Sequence, residues 1–507
     1  MSLTNLGTKQ VQEKDRSFVF HPSTHLAKHS RGETPNRIMA GAEGVYIWDT
    51  EGRKSLDGFG GLYCVNMGYG CTEIADAIAK QAHDLPFAHV YASQGTEPVA
   101  RLAEAVVEYF GQNMQRVYFG LSGSDANETN IKLVWYYNNV LGRPEKKKII
   151  SRHRGYHGSG LVTGSLTGLP FFHKFFDLPL NLVRHTTTPH YYRQAHEGET
   201  EEAFSKRCAD ELEALVLAEG PETVAAFIGE PALGTGGIVP PPRGYWAAIQ
   251  EVLDRHDILL IADEVVCGFA RTGEKFGSHL YGMRPDFVTI AKGVSSAYLP
   301  ISGSIIGDRV WSVLEEGTEK NGPLGHGWTY SGHTLCAAAA LANIQVLKER
   351  KILEHVQDVG PYWLSRMKAE LEGHPIVGEV RGVGILSAVE LMRDPKARVP
   401  FEPELQVGAR AAAALLENGV IGRAMPHGDI LGFAPPLIIT RAEIDIIVDA
   451  TAKSVDTRYP ASKAEGPYNL RERQTTLFCR CRPVLPLTAG VTRQALPAHL
   501  PAGRAYF

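Results

Sequence analysis

The chain has 507 residues, of which 44% are hydrophobic and 21% are charged. This balance excludes a disordered or fibrous chain and leaves enough apolar residues to build a sizeable core. Lysine and arginine number 52 and aspartate and glutamate 56, so the net charge is only −4. We therefore see no electrostatic reason to expect a nucleic acid or a membrane surface as partner.

The cysteines and the N-terminal residues predict where the protein resides. The seven cysteines are an odd number, and most stand alone in apolar or glycine-rich stretches, which is not typical of a disulfide framework. Residues 1–17 lack the apolar core of a signal peptide, and no run approaches the ~18 apolar residues of a membrane helix. We therefore expect a cytoplasmic protein. We also expect no metal site, because the sequence contains no metal-ligand spacing.

The predicted elements, taken in chain order, begin with a β-hairpin over 44–57, where apolar and polar residues alternate around a Glu-Gly turn. A helical pattern covers about 75–110. Short apolar runs then alternate with helix-like stretches, which is typical of a buried, mainly parallel sheet. These runs lie at 117–119, 149–150, 224–228, 258–262 and 287–290.

The later residues predict a second, smaller lobe. A helix is expected over 337–349, which is rich in alanine and leucine. The stretches 377–389 and 430–439 look strand-like, and helices are expected at 403–417 and 441–457. The predicted fold class is α/β, with a mainly parallel central sheet, flanking helices and a smaller α+β lobe.

The residues that follow the strands carry the chemical information, because ligands of open parallel sheets bind at the carboxyl ends of the strands. After 117–119, Gly123 and Ser124 lie where a strand turns into a helix, and such a turn can bind an anion through backbone N–H groups. An ordinary serine N-cap would have the same sequence. After 149–151, Tyr156 lies between glycines, where its ring could stack on a flat ligand or simply pack the turn.

Two charged residues follow the next strands. Asp263 comes after four aliphatic residues, and a buried carboxylate there needs a partner, either a protonated ring nitrogen or an arginine such as Arg271. Lys292 follows the run 287–290, where partial desolvation would make its amine a nucleophile. The alternative is a surface lysine whose stem packs along the protein.

Together these residues form a more specific pattern than any one of them. A phosphate-binding turn, a stacking aromatic ring, a carboxylate for a pyridinium and a lysine that can form a Schiff base are the four parts that pyridoxal phosphate requires. They occur in chain order at successive strand ends. The sequence therefore predicts pyridoxal 5'-phosphate as cofactor.

From about residue 20 to 459, the sequence resembles the class III (ω-amino acid and amine–pyruvate) aminotransferases of pyridoxal-phosphate fold type I. The motifs that carry the resemblance are Gly229-Glu230-Pro231, Asp263-Glu264-Val265, Ala291-Lys292-Gly293, Thr329 with Ser331-Gly332-His333, and Pro435-Pro436-Leu437-Ile438.

The resemblance implies a role for each matching residue. Lys292 is the catalytic lysine that forms the internal aldimine, and Asp263 is the partner of the pyridinium nitrogen. The full set of cofactor-binding residues implied is Gly123, Ser124, Tyr156, Glu230, Asp263, Val265, Lys292 and Thr329. Thr329 resembles the threonine that reaches the phosphate of a neighbouring subunit, which implies a homodimer with shared sites, sometimes assembled into a tetramer.

The substrate side is also implied by resemblance. Tyr63, in Gly61-Leu62-Tyr63, and Tyr156 match residues of the substrate pocket, and Arg423 resembles a mobile arginine that binds a substrate carboxylate. The activity expected is ping-pong transfer of an amino group from an amine or ω-amino acid to a 2-oxo acid, with pyruvate giving alanine. The alternatives are a 2-oxoglutarate-dependent ω-aminotransferase, an aminomutase or racemase of the same fold, and a non-catalytic relative.

The expected domains follow from the same resemblance. Residues 1–65 form an N-terminal segment that contributes to the small domain, 66–330 form the large cofactor-binding domain, and 331–459 form the C-terminal small domain. Residues 460–507 hold six prolines, seven lysines or arginines and two glutamates. We expect this stretch to be a poorly ordered tail.

Overall fold

The computed structural model describes residues 6–458. Its strands are β1 Met39–Glu43, β2 Tyr46–Asp49, β3 Lys54–Asp57, β4 Met114–Gly120, β5 Lys148–Arg152, β6 Val183–Thr186, β7 Val224–Gly229, β8 Leu259–Asp263, β9 Phe287–Ile290, β10 Ser302–Gly307, β11 Val377–Val383, β12 Leu386–Leu391, β13 Val420–Ile421, β14 Arg423–Ala424 and β15 Ile430–Phe433.

Its helices are α1 Thr8–Phe18, α2 Leu26–Ser30, α3 Gly60–Tyr63, α4 Thr72–Asp84, α5 Glu97–Phe110, α6 Gly123–Val140, α7 Leu161–Leu166, α8 Tyr191–Gln194, α9 Glu201–Glu219, α10 Tyr245–Arg255, α11 Gly277–Leu280, α12 Asp308–Asn321, α13 Thr334–Glu349, α14 Ile352–Leu371, α15 Val407–Glu417 and α16 Arg441–Arg458.

A seven-stranded sheet in the order β4-β10-β9-β8-β7-β5-β6 forms the centre of the molecule. Strand β10 runs antiparallel to both of its neighbours, β4 and β9, and the other pairs are parallel. Because β10 is the one reversed strand, the carboxyl ends of β4, β5, β7, β8 and β9 all lie at one edge of the sheet. The expected α/β fold with a mainly parallel sheet is confirmed.

The central strands read as continuous aliphatic runs because helices cover both faces of the sheet. Every residue of β7, β8 and β9 is buried. Successive side chains point to opposite faces: Phe227 and Leu260 pack with α9 and α10, whereas Ile228 and Ile261 pack with α6 and α12. The sheet is thereby held rigidly from both sides.

Two smaller sheets flank this body. In the first, β1, β2 and β3 form an antiparallel meander whose edge pairs in parallel with β13. The second, β11-β12-β15-β14, is antiparallel. The hairpin expected at 44–57 is present as β2 and β3, and β13 joins it to the C-terminal part of the chain. The described residues belong to one compact unit, so the domain boundaries at 65 and 330 stay predictions.

Some elements differ from the expectation. The helical stretch 75–110 is two helices, α4 and α5, separated by a segment that contains Pro86. The strand expected at 430–439 ends at Phe433, since Pro435 and Pro436 have no N–H for a ladder. The tail 460–507 lies outside the described residues. Across 6–458, no helix has the length and apolar character needed to cross a bilayer.

Candidate active site

A cavity of about 430 Å³ lies at the shared carboxyl edge of the central sheet. This is within the usual range for small-molecule sites. Most of the residues predicted to bind the cofactor line it, namely Gly123, Ser124, Tyr156, Glu230, Asp263, Val265 and Lys292. The sheet thus brings together side chains from five separate strand ends.

The carboxylate of Asp263 is the most constrained group in the cavity. It ends β8 and is 2% exposed. Its Oδ2 accepts hydrogen bonds from Asn127 Nδ2 at 2.9 Å and from His157 Nδ1 at 2.8 Å, and its Oδ1 accepts one from the Val265 amide at 3.2 Å. These donors hold the carboxylate in one orientation toward the cavity.

The arginine considered as a partner for Asp263 lies elsewhere. Arg271 is fully buried, but its guanidinium donates to the Asn66 side chain at 2.7 Å and to the carbonyl of Pro435. The interpretation of Asp263 as a salt bridge to Arg271 is therefore wrong. Asp263 is left as a buried carboxylate that faces a ligand cavity.

Lys292 stands on the cavity wall directly after β9. Its neighbours Ala291 and Gly293 are buried, and Lys292 itself is partly buried with a left-handed φ of 48°. No carboxylate within residues 6–458 forms an ion pair with its ammonium group. This placement favours a lysine that meets a ligand over one that is solvated at the surface.

The turn that begins α6 is a helix cap that also borders the cavity. The Ser122 hydroxyl accepts from the Asp125 amide at 3.2 Å, and Asp125 accepts from the Ser122 amide at 3.0 Å, so the N-cap interpretation is confirmed. Gly123 is the first residue of the helix and lines the cavity. The N-terminus of an 18-residue helix therefore faces the cavity with its positive dipole end.

Close packing explains why position 123 is glycine. A Cβ atom built on Gly123 would lie 2.9 Å from Cγ2 of Val265, closer than two carbon atoms pack. The missing side chain lets the helix terminus and Val265 form one continuous wall. A flat ring with a phosphate group requires a wall of this kind.

Glu230 positions the loop that carries Tyr156. Its Oε1 accepts from the Tyr156 amide at 3.0 Å, and its Oε2 accepts from the Gly234 amide at 2.7 Å. Burial raises the pKa of Glu230, although the nearby His157 opposes this. The Tyr156 ring packs edge-on against Phe172, with ring centres 5.3 Å apart, and lines the cavity. Glu230 thus supports the aromatic wall through the backbone.

Tyr63 and Arg423, predicted to contact the substrate, do not line this cavity. Arg423, on β14, lines a second cavity of about 280 Å³ together with Phe59, Gly61 and Leu62. Cys64 lines the first cavity, so the short helix α3 forms the partition between the two. Tyr63 lies within the partition, 2% exposed, with its hydroxyl 3.9 Å from Met425 Sδ.

Thr329 is the other residue that the structure leaves outside the first cavity. It lies exposed on the loop between α12 and α13 and does not contact the cavity of its own chain. This is the position expected for a residue that serves a neighbouring subunit. The pairing of two chains stays a prediction.

Several residues of the site were missed or underrated by sequence reasoning. Asn127 was not among the predicted site residues, yet its side chain holds Asp263; its spacing of four residues from Gly123, one helical turn, was the available signal. His157, also not among the predicted site residues, bonds to Asp263 through Nδ1. Cys64, Ala297, Leu299, Pro300 and Ile301 also line the cavity and were not predicted as site residues.

The residues present fit pyridoxal phosphate. The helix N-terminus at Gly123, where no side chain intrudes, suits the phosphate. The buried acceptor Asp263 suits the ring nitrogen, and the amine of Lys292, which has no ion-pair partner in the described chain, suits the aldehyde.

Comparison with known proteins agrees with this site. The family model "Aminotransferase class-III" matches residues 28–455. Diaminobutyrate–2-oxoglutarate transaminase of Halomonas elongata is 56% identical over 460 residues, which cover 90% of this chain and 98% of that protein.

Solved structures of transaminases share the fold. The ω-transaminase of Pseudomonas jessenii in complex with PMP is 42% identical with a TM-score of 0.86, covering 88% of this chain and 98% of that one. A transaminase with L-alanine is 48% identical with a TM-score of 0.81, covering 83% and 99%. The chain belongs to the class III aminotransferases, enzymes that depend on pyridoxal phosphate.

Proposed function

We propose that the chain transfers an amino group from an amine or ω-amino acid to a 2-oxo acid, and that pyruvate is the acceptor and leaves as alanine. The observation that carries this proposal is the convergence of Lys292, Asp263, Gly123 and Tyr156 on one cavity. A transaminase with L-alanine among the structural relatives supports pyruvate.

The roles of the residues follow from their positions. When bound, the cofactor supplies an electron sink for the carbon that carries the amino group. Lys292, whose amine has no ion-pair partner in the described chain, moves a proton to and from that carbon. Asp263, oriented by His157 and Asn127, would hold a proton on the ring nitrogen of the cofactor. Tyr156 shields one side of the cavity from water.

Arg423 binds the carboxylate of the substrate. It is half-buried, its guanidinium carbon lies 5.5 Å from the centre of the Phe59 ring, and no acidic group in residues 6–458 forms an ion pair with it. An arginine held on an aromatic ring and left without a counter-ion is suited to bidentate binding of an incoming carboxylate. Tyr63, inside the partition formed by α3, shapes the space between Arg423 and Lys292.

A second candidate differs only in the acceptor. The relative that is 56% identical is named for 2-oxoglutarate, which carries a second carboxylate. If 2-oxoglutarate is the acceptor, Arg423 binds that second carboxylate and glutamate is the product. Pyruvate has no second carboxylate and depends less on this arginine.

The test is a panel of amine donors, including β-alanine, a diamine and an aromatic amine, each combined with pyruvate or 2-oxoglutarate. Alanine and glutamate are both quantified. Faster formation of alanine supports pyruvate, and faster formation of glutamate would assign 2-oxoglutarate instead. Formation of neither product would contradict the proposed transamination.

The same panel tests Arg423. We expect Arg423→Ala to lower kcat/KM for carboxylate-bearing donors by about 10- to 150-fold, because a charge-assisted hydrogen bond contributes about 1.5–3 kcal/mol. Simple amines should lose much less. Arg284→Ala, which removes an exposed arginine paired with Asp254, is the control. Equal loss on both donor classes would mean that Arg423 acts structurally.

We further propose a homodimer with shared sites that can assemble further into a tetramer. The exposed Thr329 is flanked by Trp328 and Tyr330, which are 37% and 51% exposed, so this loop presents aromatic surface that a second copy would bury. Light scattering gives the assembly state. If subunits share sites, a mixed dimer of Lys292→Ala and Thr329→Ala chains has one site with both native residues. Mixing the two variants should then restore activity, and it should not do so if each site is built from one chain.

The location proposed is the cytoplasm. Five cysteines in the described part of the chain are free thiols, which is usual in a reducing compartment. Fractionation of the source cell, with the chain detected by antibody, tests this proposal.

A further inference from the structure

Three metal-ligating side chains meet in the N-terminal arm, residues 8–30, which consists of α1, α2 and their connection. Asp15 lies on α1, His21 on the connection and His29 on α2. Asp15 Oδ2 is 2.8 Å from His21 Nε2 and 3.5 Å from His29 Nε2. The three ligand atoms all lie within 4.8 Å of one another. Their spacing in the sequence, six and eight residues, matches no common metal motif, so the sequence did not indicate the site.

The third ligand is buried, and its ring nitrogen nearest the cluster has no hydrogen-bond partner among the described residues. His29 is 7% exposed, and its Nε2, which points to the cluster, makes no hydrogen bond within the described chain. Asp15 Oδ2 already accepts from His21 and from Asn36 Nδ2 at 2.9 Å. A buried imidazole nitrogen without a partner is unfavourable, because it has lost its hydrogen bonds to water without replacement. The protein side chains alone therefore leave this cluster incomplete.

We propose that Asp15, His21 and His29 bind a divalent transition-metal ion of the zinc class. Ligands about 2.0–2.1 Å from a tetrahedral ion are about 3.3 Å apart, so the observed separations of 2.8 and 3.5 Å bracket the required value. Water completes the coordination, and the side chain of His21, 34% exposed, leaves the cluster open to solvent.

The surroundings match the outer shell of a metal site. Thr34 Oγ1 lies 3.5 Å from Nδ1 of His29, the ring nitrogen that does not face the cluster. Asn36 Nδ2 orients the carboxylate of Asp15, and its own carbonyl accepts from Gln12. Such contacts fix the ring and the carboxylate and commonly change metal affinity by about 10–100-fold.

A second cluster of potential metal ligands differs because arginine side chains already neutralise it. His190, Glu379 and Glu390 also lie close together. There, Arg381 donates to both carboxylates, at 2.7 Å to Glu379 and 2.6 Å to Glu390, and Arg193 pairs with Glu390 as well. The positive charge is supplied by the protein, and no cation is needed. In the N-terminal arm, no arginine or lysine of residues 6–458 forms an ion pair with Asp15.

The experiment uses the holoenzyme with any affinity tag removed. The protein is stripped with a chelator, titrated with Co²⁺ or Zn²⁺, and its metal content is measured after dialysis. We expect one ion per chain, and for Co²⁺ a visible difference spectrum of a low-coordinate site. Asp15→Asn and His29→Gln should each weaken affinity at least about a hundredfold, because even outer-shell losses cost 10–100-fold.

A matched control and a second variant keep the test decisive. His25→Gln removes an exposed histidine of the same arm and should leave metal binding unchanged. His21→Gln, at a more exposed ligand, tests the site independently should the loss of the buried ring of His29 disturb the fold. No uptake by the parent, or equal affinity in parent, His29→Gln and His21→Gln, would overturn the proposal. Transaminase turnover of the variants reports that they are folded.

Discussion

The glycine at the start of α6 provides a sharp test of the cofactor site. In Gly123→Ala the new Cβ would lie 2.9 Å from Cγ2 and 3.3 Å from Cγ1 of Val265. Val265 is β-branched and its amide is held by Asp263 Oδ1, so it has little freedom to withdraw. The substitution should therefore push Val265 into the space for the cofactor ring.

The magnitude follows from the contact. Overpacking by one methyl group in a well-packed wall costs about 1–3 kcal/mol. If this cost is paid when the cofactor binds, the Kd for pyridoxal phosphate rises by about 5- to 150-fold. A glycine-to-alanine change at an unstrained position instead stabilises the folded chain by about 0.4–1 kcal/mol, through the unfolded state, and leaves the Kd unchanged. A raised Kd therefore identifies the crowding against Val265.

A double-mutant cycle identifies the cause. The apoenzyme of each variant is titrated with pyridoxal phosphate and binding is followed by protein fluorescence. Val265→Ala removes both crowding methyl groups, so Gly123→Ala with Val265→Ala should bind more tightly than Gly123→Ala alone, with a coupling of about 0.5–3 kcal/mol. Gly95→Ala, at an exposed glycine with no heavy atom within 4 Å of its Cβ, is the control. Unchanged affinity in Gly123→Ala, or strictly additive losses, would refute this account.

Three further substitutions test the chemistry and the framework. Lys292→Ala should lower turnover at least about a thousandfold, because both the attachment point of the cofactor and the proton carrier are lost; an added small amine should restore part of it, and substantial unaided turnover would contradict the role. Asp263→Asn should lower kcat about 10- to 150-fold by removing a charged acceptor; unchanged kcat would show that this charge is not needed. For Glu390, burial acts to raise the pKa, but Arg381 and Arg193 lower it to about 2. Above pH ~4.5 the ionised carboxylate therefore contributes about 3 kcal/mol to the free energy of unfolding, and this contribution is lost as the pH falls toward 2. Glu390→Gln should lower the Tm at pH 7 and flatten the acid limb, as measured by thermal unfolding from pH 2 to 7; an unchanged acid limb would contradict it.

The sequence predicted those parts of the fold whose signal is local. Strands β7, β8 and β9 are buried on both faces, so their aliphatic runs were easily recognised. Strand β10 is equally buried but reads Ser-Gly-Ser-Ile-Ile-Gly. Position 303 has no room for a side chain, because a Cβ there would lie 3.0 Å from side-chain atoms of Ile290 and of Val117. That requirement comes from neighbouring strands and leaves no pattern within β10 itself.

The same distinction holds within the site. Lys292 and Asp263 were identified because each follows a recognisable strand. The partners of Asp263 were not, since Asn127 and His157 lie 136 and 106 residues away along the chain. Arg271 was a reasonable alternative by charge alone, and only the folded chain shows it bonded to Asn66 instead. Long-range pairing of polar groups was beyond what spacing could predict.

The partition between the two cavities explains why the substrate side was hardest to predict. Helix α3 is shaped by contact with the C-terminal part of the chain: a Cβ on Gly60 would lie 2.7 Å from the carbonyl oxygen of Ala434, and Tyr63 rests against Met425. The space between Lys292 and Arg423 is thus set by two segments that are more than 350 residues apart. Changes in either segment can alter which amine fits, while the groups at the edge of the central sheet keep the same chemistry. The shape of this partition is therefore a property of the contact between the two segments, which no local sequence pattern encodes.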